Sequence, residues 1–251
     1  MTTGQPQYVR IADQLRQKIK SGELAAGTKL PSEQELRADY DVSAQVVRAS
    51  MAQLRAEGLI VTQQGKGSVV QTRRPLARLS TDRYRRQSER APFMTEVEDS
   101  GRASRISYDN AQVRASDAVA ERLSIEPGAS VTQTKYWFYA DDTPVQISTQ
   151  WEPLELTQGT TIEMPEETGP MAKEGIIARF DSIGINVVRV HESVSGRMPS
   201  PDETRQLDVA PGVPVFEIHR THWAEDRPVE TADIVVPTDR YTIEHTQQVN
   251  D

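Results

Sequence analysis

The sequence predicts an α+β chain built from a small helical module followed by a module with a mainly antiparallel sheet. Three observations predict it. Apolar residues recur at helical spacing in the first quarter of the chain, then give way to alternating strands with Pro and Asp turns beyond residue 90. A long segment from Leu123 repeats from Leu207 without a gap. Charge is segregated: residues 1 to 90 carry 16 Lys+Arg against 9 Asp+Glu (+7), and residues 91 to 251 carry 13 against 28 (-15). A basic head joined to an acidic remainder suits a polyanion-binding module attached to one that stays off the polyanion. The expected division is 1-72, a basic linker 73-90, and 91-251.

Tyr8, Ile11, Ala12, Leu15 and Ile19 mark one face of a first helix that stops at Ser21-Gly22. After Leu30-Pro31, the run Ser32-Glu33-Gln34-Glu35 forms a capping box and opens a second helix reaching about Tyr40. Asp41-Val42-Ser43 makes the turn, with Ser43 as N-cap, and Val47, Met51 and Leu54 give a third helix its apolar face until near Gly58. Two short helices joined by a tight turn form a helix-turn-helix, whose second helix presents its N-terminal side chains to base edges. Ala44, Gln45 and Arg48 occupy that face. Two strand-like runs, Leu59-Ile60-Val61 and Ser68-Val69-Val70, flank the glycine-rich tip Gln64-Gly65-Lys66-Gly67 and read as a wing.

These residues resemble the GntR family of bacterial regulators over roughly residues 7 to 71. The carriers include Gly22-Glu23-Leu24, Leu30-Pro31-Ser32-Glu33, Val42-Ser43, Val47-Arg48, Glu57-Gly58-Leu59-Ile60 and the wing tip. The resemblance implies double-stranded operator DNA as partner, met by Ser32, Ser43, Gln45, Arg48, Gly65 and Lys66. With the presenting Ala44 and the wing-tip Gln64 these make up the expected DNA contacts. Many family members carry Arg where this chain has Gln34 and Ala44, and Thr where it has Val46. Either the operator departs from the commonest half-site, or reading shifts to Gln45, Arg48 and apolar contact with a thymine methyl.

Residues 73 to 90 hold seven arginines and little apolar periodicity, which fits a solvated linker or extra phosphate contacts equally well. Beyond it, the two repeat copies share nine identical positions, among them Pro127/Pro211, Gly128/Gly212, Asp142/Asp226 and Pro144/Pro228. Each copy reads as a helix end, a Pro-Gly turn, a long strand, a polar hairpin and a return strand. Ser200-Pro201-Asp202-Glu203 is a second capping box, and Val187 to Arg197 is a further strand. The sheet is expected to carry its helices on one face.

This half resembles the UTRA domain of the HutC subfamily. That resemblance implies a chorismate-lyase-like fold that binds a small effector between its halves and dimerises through its sheet. Sugar-phosphate-responsive members grip the anion with an Arg-x-Arg pair where this chain has Tyr136 and Phe138. Without bidentate partners a phosphate loses its best hydrogen bonds, so the expected effector is not a phosphosugar; the alternative is that anion recognition moves to the second copy, where Arg220 and His222 hold the equivalent positions. Tyr136, Phe138, Glu192, Arg197, Arg220, Glu230 and Tyr241 are the candidate effector contacts.

No cysteine, HExxH or P-loop is present, and the four histidines lack metal-ligand spacing, so no catalytic residue, metal or cofactor is expected. With no apolar run of membrane length and no signal peptide, the expected setting is the cytoplasm. The expected protein is a homodimeric repressor released by a small molecule. A ligand-blind repressor whose second module only dimerises is the alternative, and an enzyme of lyase-like fold is a more distant one.

Overall fold

The computed structural model describes residues 6-63, 67-71, 75-79, 83-84, 86, 91-164 and 174-246. The chain divides into two compact units. The first holds residues 1-75 together with 198-215 and 237-240, and the second holds 76-197, 216-236 and 241-251.

In the first unit, α1 (Gln7–Lys20) buries Ile11, Ala12 and Leu15, the stripe its spacing predicts. Ser32 caps α2 (Glu33–Tyr40) with a complete capping box, its hydroxyl accepting from Glu35 N at 3.2 Å and its own N–H donating to Glu35 Oε2 at 2.7 Å. Asp41 ends that helix in the left-handed conformation, and Ser43 caps α3 (Ala44–Ala56) by accepting from Val46 N. Val47 and Leu54 of α3 are fully buried against α1, Leu36 and Ile60. Burial of that kind contributes about 1.5 to 3 kcal/mol per side chain. The buried Ser50 hydroxyl meets both Tyr8 O and Val46 O at 2.9 Å, so it ties α3 to the start of α1 without leaving a polar orphan. Strands β1 (Ile60–Gln63) and β2 (Gly67–Val70) pair antiparallel as the stem of the wing.

The second unit opens with β3 (Leu76–Leu79), which pairs in parallel with the last strand, β10 (Tyr241–Glu244). Between them come α4 (Pro92–Asp99), β4 (Ser104–Arg114), α5 (Asp117–Leu123), β5 (Ser130–Ala140), β6 (Thr143–Pro153), α6 (Leu154–Thr157), α7 (Ile176–Ser182), β7 (Arg189–Arg197), α8 (Pro201–Leu207), β8 (Val215–Ala224) and β9 (Arg227–Pro237). Of these, α8 belongs to the first unit. Strands β4 to β9 form one six-stranded sheet in the order β4-β5-β6-β9-β8-β7, antiparallel from β4 through β9.

The sequence repeat is a backbone repeat. Ser116 and Ser200 cap α5 and α8, Ser124 and Asp208 end them in the left-handed region, and Asp141 and Glu225 adopt φ of 52° at the two hairpins. Each pair is separated by the same 84 residues as the identical positions.

Helices lie against both faces of the sheet, where one covered face was expected. Phe93 and Val97 of α4 pack with Phe138, Ala232 and Ile234. Val119, Ala120 and Leu123 of α5 pack with Val131 and Trp151, which point the other way by strand alternation. Apolar side chains stand on both sides of β5 and β6, so both sides need cover.

Candidate functional site

Two places in the molecule carry chemistry that folding alone does not require. The first is the start of α3. Gln45 and Arg48 are exposed there, Ala44 is half-buried beside them, and Ser43 sits at the cap. Arg48 makes one loose contact, 3.3 Å to Glu33 of α2, with both side chains largely in solvent. Such an exposed pair holds little energy, so the guanidinium is free to turn toward a stronger acceptor. Ser32 and Ser43 are both engaged as the caps of α2 and α3. Gln64, Gly65 and Lys66 lie outside the described residues.

The second place is a cavity of about 110 Å³ in the second unit. Its sheet floor comes from both repeat copies. The first copy supplies Tyr136 and Phe138 on β5, with Gln146, Ser148 and Gln150 on β6. The second supplies Arg220 and His222 on β8, with Ile234 on β9. Arg220 and His222 stand 84 residues after Tyr136 and Phe138, so matched positions of the two copies line one space. Register fixes the floor: Phe138 pairs with Gln146, Tyr136 with Ser148, and Ser148 with Ile234. Phe93 of α4, Ile176 and Arg179 of α7, and the segment bearing Arg83, Tyr84 and Arg86 complete the walls.

The aromatic side is ordered. Tyr136 and Phe138 stack at 5.6 Å, and Phe93 meets Phe138 edge-on at 4.8 Å. The charged side is paired. Glu230, fully buried, accepts from Arg220 at 2.8 Å and lies 2.6 Å from His222 Nδ1. Burial pushes its carboxyl up, but Arg220 and His222 outweigh burial and hold it at about 2. His222 is pulled below the imidazole range by burial, with Arg220 adding to that against the pull of Glu230. Glu152 accepts from Arg179 at 3.0 Å, and its own burial pushes its carboxyl up against that arginine. Burial pushes the Tyr84 phenol up to about 12, which keeps it a donor, and it donates to Glu192.

Of the candidate effector contacts, Tyr136, Phe138 and Arg220 line the cavity, and Glu230 stands directly behind Arg220 and His222. Glu192 reaches it through Tyr84 and is also bonded to the buried Arg78. Arg197 pairs with Glu217 at 2.9 Å instead, because β7 is an edge strand and its last residue looks toward β8. Tyr241 is a core residue, packed with Leu76 and Val97 through the pairing of β10 with β3.

Sequence reasoning missed Gln146, Ser148 and Gln150, together with Tyr84, Phe93 and Arg179, whereas the repeat offset had already pointed to His222 beside Arg220. Alternation marks the first three as one face of a strand, but a polar face reads as the outer one. The expected linker also holds cavity residues. Arg83 pairs with Glu96, Arg86 with Asp181, and Arg78 with Glu192, so these three arginines are engaged within the second unit. Arg73, Arg74, Arg85 and Arg90 lie outside the described residues.

Both parts of the chain match known domain families. Residues 7–70 match the bacterial regulatory proteins of the gntR family, and residues 101–242 match the UTRA domain, more than half the chain. An HTH-type transcriptional regulator of Streptomyces coelicolor is 30% identical over 223 residues, covering 86% of this chain and 82% of its own. The mannosyl-D-glycerate transport/metabolism system repressor MngR of Escherichia coli is 26% identical, covering 94% of this chain and 93% of its own. A crystal structure of a GntR-family transcriptional regulator is 39% identical and superposes with a TM-score of 0.66, covering 98% of this chain and 99% of that one. Among the described residues no helix is long and apolar enough to cross a membrane. These domains and relatives are those of DNA-binding regulators and not of enzymes. The chain belongs to the GntR family of transcriptional regulators and joins the family's helix-turn-helix to a UTRA effector-binding domain.

Proposed function

We propose that this protein is a cytoplasmic, homodimeric repressor that binds a palindromic operator and is released by a small molecule, other than a phosphosugar, held in the cavity of its UTRA domain. In this reading residues 1-72 bind DNA, 73-90 join the modules and lend Arg83, Tyr84 and Arg86 to the cavity, and 91-251 supply the rest of the sensing and dimerising module. The observation that carries it is the cavity, to which matched positions of both repeat copies contribute, Tyr136 and Phe138 from one and Arg220 and His222 from the other. A packed core needs no such space, and a few convergent polar groups among apolar walls suit a ligand.

Recognition falls to the start of α3. Gln45 offers the amide that pairs bidentately with adenine, and Arg48 offers a guanidinium for guanine or phosphate. Ser32, Ser43 and the wing residues Gln64, Gly65 and Lys66 hold the backbone, and Ala44 leaves room for a thymine methyl. A dimer presents two such helices about one helical turn apart, which matches operator symmetry to protein symmetry. Effector binding then biases the population of dimers that keep this spacing. The repressor sign follows the name of MngR.

The test measures affinity for the chain's own upstream DNA with and without a library of small metabolites, beside Arg48→Glu. Specific binding that one compound releases, and that Arg48→Glu abolishes while circular dichroism stays unchanged, is the expected result. Tight binding that no compound alters would make the protein a ligand-blind repressor. Normal operator affinity in Arg48→Glu would overturn the assignment of α3.

A further inference from the structure

The cavity is lined by four arginines, Arg83, Arg86, Arg179 and Arg220, which at first sight invites an anion. Each of them already has a carboxylate of its own. Arg83 pairs with Glu96 and Arg86 with Asp181; Arg179 lies 3.0 Å from Glu152, and Arg220 lies 2.8 Å from Glu230. The side chains of Arg179, Glu152 and Glu230 are all within 2% of full burial. An incoming phosphate or carboxylate that takes Arg179 or Arg220 from its partner leaves Glu152 or Glu230 as an unpaired buried charge, a change that costs about 3 to 5 kcal/mol. Arg86, whose pair is partly exposed, is also held by donating to Val187 O. Glu174, also at the cavity, adds a further negative charge.

What the cavity does offer is an aromatic wall and unused hydrogen-bonding atoms. Gln146 is 3% exposed, lines the cavity, and its Oε1 accepts no hydrogen bond among the described residues. Among the described residues the Nε–H groups of Arg83 and Arg220 also find no acceptor. Buried polar atoms of this kind normally have partners, so a ligand that satisfies them gains affinity. The space of about 110 Å³ is of the order that takes a single ring, since an apolar cavity of about 150 Å³ binds benzene.

We infer that the cavity takes an uncharged, single-ring molecule that stacks on Tyr136 and Phe138, donates a hydrogen bond to Gln146 Oε1 and accepts one from an arginine Nε–H. The inference rests on the reading of this cavity as the effector site. It replaces a gripped anion with a stacked neutral ring, because the arginines are spent on internal ion pairs.

The test uses the full chain and four probes sharing one ring: benzamide, benzyl alcohol, benzoate and phenyl phosphate. Binding is read by thermal shift and by saturation-transfer NMR, with potassium chloride matching ionic strength. Benzamide and benzyl alcohol should bind and raise the melting temperature, and the two anions should do neither. Gln146→Met keeps the side-chain length and removes the acceptor; it should weaken benzamide about tenfold, the worth of one hydrogen bond. Phe138→Leu, which keeps the core filled, should weaken both neutral probes. Stronger binding by benzoate or phenyl phosphate, or neutral binding untouched by both substitutions, would overturn the inference. No binding by any of the four would instead overturn the reading of the cavity as a ligand site.

Discussion

Glu230 is held by Arg220 at 2.8 Å and by His222 at 2.6 Å, and none of its side chain meets solvent. A carboxylate so placed is stable only while both partners stay. Glu230→Gln leaves the Arg220 guanidinium without its counter-charge, which should cost about 3 to 5 kcal/mol in urea denaturation at neutral pH. The acid limb of stability should change as well. Both Glu230 and His222 have folded pKa values below their ordinary ones, so the unfolded chain takes up protons first as pH falls. Wild-type stability should therefore be full near neutrality, decline once pH drops below the ordinary imidazole value of 6.5, and decline more steeply below the carboxyl value of 4.5. The steeper portion should be reduced in Glu230→Gln and not abolished, because Glu192, Glu57 and Glu35 are also held below the ordinary carboxyl value by their partners. A variant equally steep below 4.5 would show that other carboxylates set that limb. At this scale the sequence marks the residues that the backbone needs and hides those that the cavity needs. Ser32 and Ser43 announce themselves by their place before an apolar run. Gln146, Ser148 and Gln150 look like any solvated strand face, since alternation tells which side chains share a side and not which side is inside.

The two hairpins of the repeat give one conformation to unlike residues. Asp141 and Glu225 both sit at φ of 52°, where a side chain other than glycine costs about 1 to 2 kcal/mol. Asp141 recovers part of that, because its carboxylate accepts from Ala103 N at 3.1 Å and faces Arg102. Glu225 is exposed and longer, and a glycine in its place relieves the strain at the expense of about 0.4 to 1 kcal/mol from a freer unfolded chain. Glu225→Gly should thus gain about 0.5 to 1 kcal/mol, and Asp141→Gly should be neutral or destabilising. Paired melting curves decide it, and equal gains in both would refute the role of the Asp141 contacts. Elements with a chemical start signal were legible: the boxes at Ser32 and Ser200 place α2 and α8 to the residue. β3 was not, since Leu76–Leu79 is too short and too basic to show a period and forms only because β10, far along the chain, offers it a parallel partner. The faces that the helices cover were also hidden, because α5 meets Val131 and Trp151 on one side while α4 meets Phe138 and Ile234 on the other.

Across the whole molecule, charge and pairing together say which cations remain for DNA. The first 90 residues carry +7 in a chain of net charge -8, so the basic part must supply the phosphate contacts. Its arginines are not equivalent. Arg78, Arg83 and Arg86 are matched to Glu192, Glu96 and Asp181, so withdrawing them from the second unit breaks ion pairs, two of them with a buried arginine. Among the described residues Arg48 has only an exposed contact, 3.3 Å from Glu33. Operator binding should therefore fall steeply with salt, since neutralising six to ten phosphates releases counterions and costs roughly 10³ to 10⁵ in affinity between about 50 and 200 mM. Arg86→Gln should leave that slope and the affinity unchanged, while Lys66→Gln should lower the slope by about 1. The slope is the discriminating readout, because a merely destabilised protein loses active fraction without changing the number of ions released. A shallower slope in Arg86→Gln would mean that Arg86 leaves Asp181 when DNA is bound, and the linker would then join the DNA-binding surface.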